Sequence, residues 1–272
     1  MNRERPTAPP IQKDWALFLD ADGTLLPIAS TPGEVTCPPG LLPLLGALAG
    51  ELGGALAIVS GRPLSQLRGL FPEIPCCLVG HHGRESDRWP MPDLPDLDFT
   101  GLLDRAREVA VEFPGILIED KQIAVALHWR RNPTAEAALT ALAHEYVQQL
   151  DGYMLQAGRM VIEVRPTGGK GDALRRLMAH PPWRGRRPVF VGDDLADESG
   201  FAEAAKSGGL GVLVGKRTES VASRHLKDVA AVHEWLARGL HGMQSASSRG
   251  QLLPVGQPGG SSNDGPLSRG AR

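Results

Sequence analysis

Five short apolar runs, each ending at glycine, serine or an acidic residue, constrain what this chain can fold into more than any other feature. Ala16-Leu-Phe-Leu19 runs into Asp20, Ala55-Leu-Ala-Ile-Val59 into Ser60-Gly61-Arg62, and Cys77-Leu-Val79 into Gly80-His81-His82-Gly83. Farther on, Val189-Phe-Val191 runs into Gly192-Asp193-Asp194, and Gly211-Val-Leu-Val214 ends at Gly215. Amphipathic helices are predicted between them over 41–52, 173–178 and 199–206. Continuous apolar strands alternating with helices specify an α/β fold whose parallel sheet is covered on both faces. In open sheets of this kind functional groups collect where strands end at their carboxyl edges, and Asp20, Ser60 and Asp193 all fall there.

The stretch from about Arg88 to Arg165 follows a different pattern. It opens with Pro90, Pro92 and Pro95, continues into a predicted helix over 102–112, and then reads as a hairpin over 116–129. A long helix over 133–150 and strand-like residues over 153–164 follow. The stripe Ala135, Leu139, Leu142 and Tyr146 marks that helix's core face. The expected organisation is therefore a core over 12–87, an inserted α+β domain over 88–165, a second core segment over 166–241, and a tail over 242–272. The tail is rich in Gly, Ser, Pro and Gln, cannot bury enough surface to offset ordering entropy, and is expected to be disordered.

Bulk properties exclude several function classes. A net charge of −2 gives no electrostatic case for a nucleic-acid partner. No apolar stretch approaches the roughly 20 residues that span a bilayer, and residues 1–13 lack a signal-peptide h-region, so a cytoplasmic location is expected. The three cysteines, Cys37, Cys76 and Cys77, lack both a disulfide framework and zinc-ligand spacing. The sequence sets no oligomeric state.

The chemistry concentrates in Phe18-Leu-Asp20-Ala-Asp22-Gly23-Thr24-Leu25. Two carboxylates two positions apart, just past a strand and followed by glycine, can face one site if the backbone loops, and glycine permits that loop. Ser60 reads either as a helix N-cap or as a hydroxyl donor to a phosphate oxygen. Lys170, glycine-flanked in Thr167-Gly-Gly-Lys-Gly-Asp172 just ahead of a helix, is either a surface lysine or the neutraliser of phosphoryl charge. Gly192-Asp193-Asp194-Leu-Ala-Asp197-Glu198 packs four carboxylates after one strand, and acids so close repel unless a hard, oxygen-liganded cation such as Mg²⁺ sits among them.

Taken in order, these segments resemble the haloacid-dehalogenase (HAD) superfamily of phosphatases, over roughly 15–83 and from 165 onward. The resemblance implies a Rossmann-like core with an inserted C2-type cap, and an enzyme in which Asp20 attacks phosphorus to become a transient aspartyl phosphate. It further implies that Asp22 acts as acid and then base, that Ser60 and Lys170 hold the transferring group, and that Mg²⁺ sits on Asp20, the Asp22 carbonyl and Asp193, supported by Asp194 and Asp197. Within that superfamily, Val59-Ser-Gly-Arg62, Gly80-His-His-Gly-Arg-Glu85, Glu119-Asp-Lys121 with His128-Trp-Arg130, and Val161-Ile-Glu-Val-Arg-Pro166 look most like the trehalose-6-phosphate phosphatases. That likeness implies a small sugar-phosphate substrate, trehalose 6-phosphate, its sugar hydroxyls met by Glu119, Lys121, Arg130 and Glu163, with Gly61, Arg62 and His82 as further candidate substrate contacts. Three alternatives stand beside it. Arg62 and His82 either contact substrate or organise the loop beside Asp20; residues 119–130 are otherwise an exposed hairpin face; and sucrose 6-phosphate or mannosyl phosphate, or a non-catalytic sugar-phosphate regulator, would use the same frame.

Overall fold

The computed structural model describes residues 5–29, 31–88, 98–121 and 123–250, with the side chains of residue 32 and of 247–250 left out. The expected proline-rich entry at Pro90, Pro92 and Pro95, and the expected disorder of 251–272, lie outside the described residues.

Strand β1 (Trp15–Leu19) is buried along its whole length. Its odd-numbered side chains, Trp15, Leu17 and Leu19, enter one apolar cluster, while Ala16 and Phe18 enter another. The same split recurs in β2 (Leu56–Val59), so both faces of this sheet are covered, as near-continuous apolar runs require. Helix α1 (Leu41–Glu51) leads to β2, and α2 (Leu64–Leu70) leads to β3 (Cys77–Gly80), which pairs with the short antiparallel β4 (Glu85–Ser86).

The chain then builds a second layer: α3 (Thr100–Glu112), β5 (Leu117–Asp120), β6 (Val125–His128), α4 (Glu136–Val147), β7 (Tyr153–Gly158) and β8 (Val161–Pro166). Its four strands form an antiparallel sheet in the order β5-β6-β8-β7. Val125, Leu127, Ile162 and Val164 share one face with Leu102, Leu139 and Leu142 of the helices. Alternation therefore puts Glu119, His128 and Glu163 on the opposite face.

The chain returns through α5 (Lys170–Met178), β9 (Arg187–Gly192), α6 (Glu198–Lys206), β10 (Leu210–Val214), β11 (Arg224–Leu226) and α7 (Val229–Gly250). The large sheet has the order β11-β10-β9-β1-β2-β3-β4, and all its pairs but β3–β4 are parallel. Because β1 lies between β2 and β9, strand order reverses at β1. A crevice at the carboxyl ends of these three strands is the expected ligand site. Phe190 of β9 is fully buried and meets Phe201 edge-on at 5.9 Å, with Gly200 close against its ring. Phe190→Ala is expected to cost about 3–5 kcal/mol of unfolding free energy, measured by urea denaturation.

Three expectations are corrected. The core begins before residue 12: Thr7 bridges to His225 and Ile11 is buried. Helix α5 starts at Lys170 rather than beyond it, because extended Gly169 precedes it and the Asp172 carboxylate accepts from the Gly169 amide at 3.0 Å. The ordered chain also runs past residue 242, since α7 carries Val232, Leu236, Leu240 and Met243 along one stripe, three of them buried against the large sheet. Among the described residues no helix is long and apolar enough to cross a membrane.

Candidate active site

Asp20 is the first residue after β1, 4% exposed, and its amide donates to the Val191 carbonyl of β9 at 2.9 Å. The following loop closes through Leu25 and Leu26 amides on the Ala21 carbonyl and the Gly23 amide on Leu26. Gly23 has φ +84°, and a Cβ there would lie 2.2 Å from an Asp193 carboxylate oxygen. Only glycine lets the two loops approach this closely.

Lys170 is the centre of the site. Its ammonium, 3% exposed, donates to Asp20 Oδ1 at 2.5 Å and to Asp197 Oδ1 at 2.6 Å, joining residues 150 and 27 positions away. The surface reading of this lysine is thereby removed. Asp197 is fully buried, and its other oxygen accepts from the Asp193 and Asp194 amides at 2.9 and 3.0 Å, so it ties down the acidic loop. Asp194 is exposed and accepts from the Ala196 amide.

Carboxylate oxygens of Asp20, Asp193 and Asp197 lie within 4.8 Å of one another, and Asp193 Oδ1 is buried without a hydrogen-bond partner. Burial pushes the Asp20 carboxyl well above its usual range; Lys170 pulls it back, while Asp197 and Asp193 push it further up. Burial, then Asp197, raises the Asp193 carboxyl to about 7. Against the cost of burial, Asp197 and Asp20 hold the Lys170 ammonium above its usual value. An orphaned oxygen and mutually repelling hard oxygen donors fit a divalent cation such as Mg²⁺. The sign for stability follows: a carboxyl raised on folding favours the native state below its unfolded pKa, and that contribution is lost as pH climbs to the folded value. The thermal midpoint of chelator-treated protein is therefore expected to fall between about pH 4 and pH 7 relative to Mg²⁺-loaded protein, a comparison in which the opposite contribution of His82 cancels.

Asp22 turns away from the three acids. Arg62 holds both of its oxygens, at 2.6 and 2.7 Å, and also reaches Gln66. Arg62 thus joins its own turn to the loop that carries Asp20 and Asp22. Asp22 can still offer its main-chain carbonyl to a cation. Ser60, at the end of β2, is not a helix cap: α2 starts after Pro63, and Ser60 Oγ accepts the Arg62 amide at 3.1 Å within its own turn.

The second sheet brings its open face to the same place. Glu163 accepts from Lys121 at 3.1 Å and pairs with His82 of the large-sheet unit at 3.3 Å, while Glu119 pairs with His128 at 3.2 Å. Against burial, Lys121 and His82 hold the Glu163 carboxyl well below its usual range. Arg130 is not brought in; it is exposed in the turn after β6. Arg217 contacts the acidic loop and has no local sequence signal. Its guanidinium donates to the Asp194 carbonyl at 3.1 Å and to the Glu198 carboxylate, bracing the acidic loop from 19 and 23 positions away.

The trehalose-phosphatase family model matches residues 18–231. Trehalose-6-phosphate phosphatase of Escherichia coli K12 is 38% identical over 233 residues, covering 84% of this chain and 87% of that protein. The C-terminal domain of C. albicans trehalose-6-phosphate phosphatase superposes with a TM-score of 0.75 at 23% identity, over 89% of this chain and 99% of that one, a likeness of fold. A phosphatase of the HAD enzyme superfamily from Bacteroides thetaiotaomicron shares the fold at TM-score 0.54 and 18% identity, over 84% and 94% of the two chains.

Proposed function

Because this chain belongs to the trehalose-phosphatase family, we propose that it hydrolyses trehalose 6-phosphate to trehalose and inorganic phosphate through a phosphoryl-Asp20 intermediate. The observation that carries the reading is Lys170 bridging Asp20 and Asp197 at the reversal of strand order, in a unit whose His82 pairs with Glu163 of the second sheet.

Asp20 uses a carboxylate oxygen to attack phosphorus while the bond to the sugar oxygen breaks. Lys170 and Ser60 hold the oxygens of the transferring phosphoryl group, so the attacking and leaving groups stay in line. Asp22 gives its proton to the departing sugar oxygen, for which one of its oxygens must leave Arg62. It then takes a proton from the water that attacks the phosphoryl group, and Asp20 is restored as a carboxylate. Asp20, Asp193 and the Asp22 carbonyl would hold Mg²⁺, with Asp194 and Asp197 in support. When bound, the ion supplies the charge neutralisation that lets an anion approach an anion.

The domain of residues 88–165 serves in this reading as a cap. Glu119, Lys121 and Glu163 offer the charged, planar groups that satisfy several sugar hydroxyls at once, and Arg130 would join them as the cap settles on substrate. Gly61 and Arg62 line the phosphate end. Three free thiols suit the reducing cytoplasm in which we place the reaction.

Phosphate release from a panel of sugar phosphates, with Mg²⁺ and with EDTA, tests the proposal. A Mg²⁺-dependent preference for trehalose 6-phosphate is expected. An equal rate on sucrose 6-phosphate or mannosyl phosphate would keep the chemistry and remove the substrate, and no release from any ester would leave a sugar-phosphate-binding protein.

A further inference from the structure

His82 is held from two sides. Its amide donates to the Ser60 carbonyl at 2.8 Å, and the His81 amide donates to the Arg62 carbonyl at 2.9 Å, so the turn after β3 is fastened to the Ser60-Gly61-Arg62 turn. Both histidines adopt left-handed backbone, φ +45° and +54°, which L side chains avoid unless surrounding contacts impose it. The His82 ring lies on Gly61, where a Cβ would come within 2.5 Å of Cε1, and its Nε2 reaches Glu163 Oε2 at 3.3 Å. Glu163 sits in β8, opposite Ala126 of β6 and Gln156 of β7, and its other oxygen takes Lys121. Burial lowers the His82 pKa to about 4, so near neutral pH the ring is uncharged and its Nε2–H is the donor to the carboxylate.

We propose that His82 is a positioning residue: by pairing with Glu163 while resting on Gly61, it fixes the spacing between the phosphate-binding turn and the sugar-binding face, and so selects esters whose hydroxyls lie at that spacing. The inference rests on the reading of Glu163 as a sugar contact. It predicts that His82 matters for substrates that engage the cap and much less for those that do not.

The test compares kcat/KM for trehalose 6-phosphate and for p-nitrophenyl phosphate, which has no sugar hydroxyls, in the Mg²⁺-loaded full chain. His82→Asn tolerates left-handed backbone but is too short to reach Glu163, whereas His82→Gln keeps a donor near the Nε2 position. The ratio of the two kcat/KM values is expected to fall about 10- to 100-fold in His82→Asn, from loss of a hydrogen bond to a charged group, and to recover largely in His82→Gln. Adding His82→Asn to Glu163→Ala, which leaves no acceptor for His82, is expected to change the ratio little further, because the two residues act as one contact. A ratio unchanged in His82→Asn, which is what a loop-bracing role alone gives, would overturn the proposal. Independent, additive losses in the double variant would overturn it equally, and Glu163→Ala supplies that comparison from the cap side if His82→Asn does not fold. Wild-type protein that cleaves p-nitrophenyl phosphate but not trehalose 6-phosphate would instead strike the underlying reading, and this shows before any variant is made.

Discussion

Asp20→Asn is expected to lower kcat for phosphate release by at least roughly 10⁴-fold while leaving the fold intact. The amide oxygen can still accept from Lys170, so the 2.5 Å contact that organises the site survives. What disappears is the proposed nucleophile: a neutral amide does not displace an alkoxide from phosphorus. The same substitution removes one of three mutually repelling acids. Chelator-treated Asp20→Asn protein is therefore expected to unfold at a temperature equal to or above wild type. Loss of activity together with unchanged or raised stability distinguishes a nucleophile from a structural aspartate, and thermal unfolding monitored alongside phosphate release checks both.

Lys170→Met is expected to damage stability and catalysis together. Lys170 is the buried cation against both Asp20 and Asp197, and removing one partner of a buried ion pair leaves uncompensated charge, at a cost of about 3–5 kcal/mol. Methionine has nearly the right volume, so the loss reports charge rather than a cavity. Catalysis is expected to fall by roughly 10²- to 10³-fold, the range found when a preorganised group facing developing charge is removed. Urea denaturation in EDTA reads the first effect and kcat in Mg²⁺ the second. Mg²⁺ is expected to restore part of the stability, because it supplies a cation to the same carboxylates.

The strands were legible because burial on both faces writes them as unbroken apolar runs, and their ends placed Asp20, Ser60 and Asp193 on adjacent strands β1, β2 and β9. Side-chain direction within the loops was not legible. That Asp197 joins Asp20 and Asp193, while Asp22 turns to Arg62, depends on the positive φ of Gly23 and on the close approach at Gly192, where a Cβ would lie 2.2 Å from Asp197. Spacing along the chain carries neither fact. Contacts between distant segments were equally hidden: Arg5 donates to four carbonyls at Arg217, Thr218, Ser220 and Ala222, and Arg217 in turn braces Asp194. The continuation of α7 past residue 242 was not legible because small and polar residues dominate there, with Met243 the one large apolar side chain between 242 and 250. Arg130 shows the opposite case, a residue whose sequence setting suggested the sugar face but whose turn leaves it exposed.

In the proposed reaction Asp20 carries the phosphoryl group between two in-line displacements. Trehalose 6-thiophosphate made chiral at phosphorus with oxygen isotopes, hydrolysed in isotopically labelled water, tests it most directly. Each in-line displacement inverts phosphorus, so two of them give net retention, which is the predicted result. Net inversion would mean that water attacks the substrate in a single step, and would contradict a covalent role for Asp20.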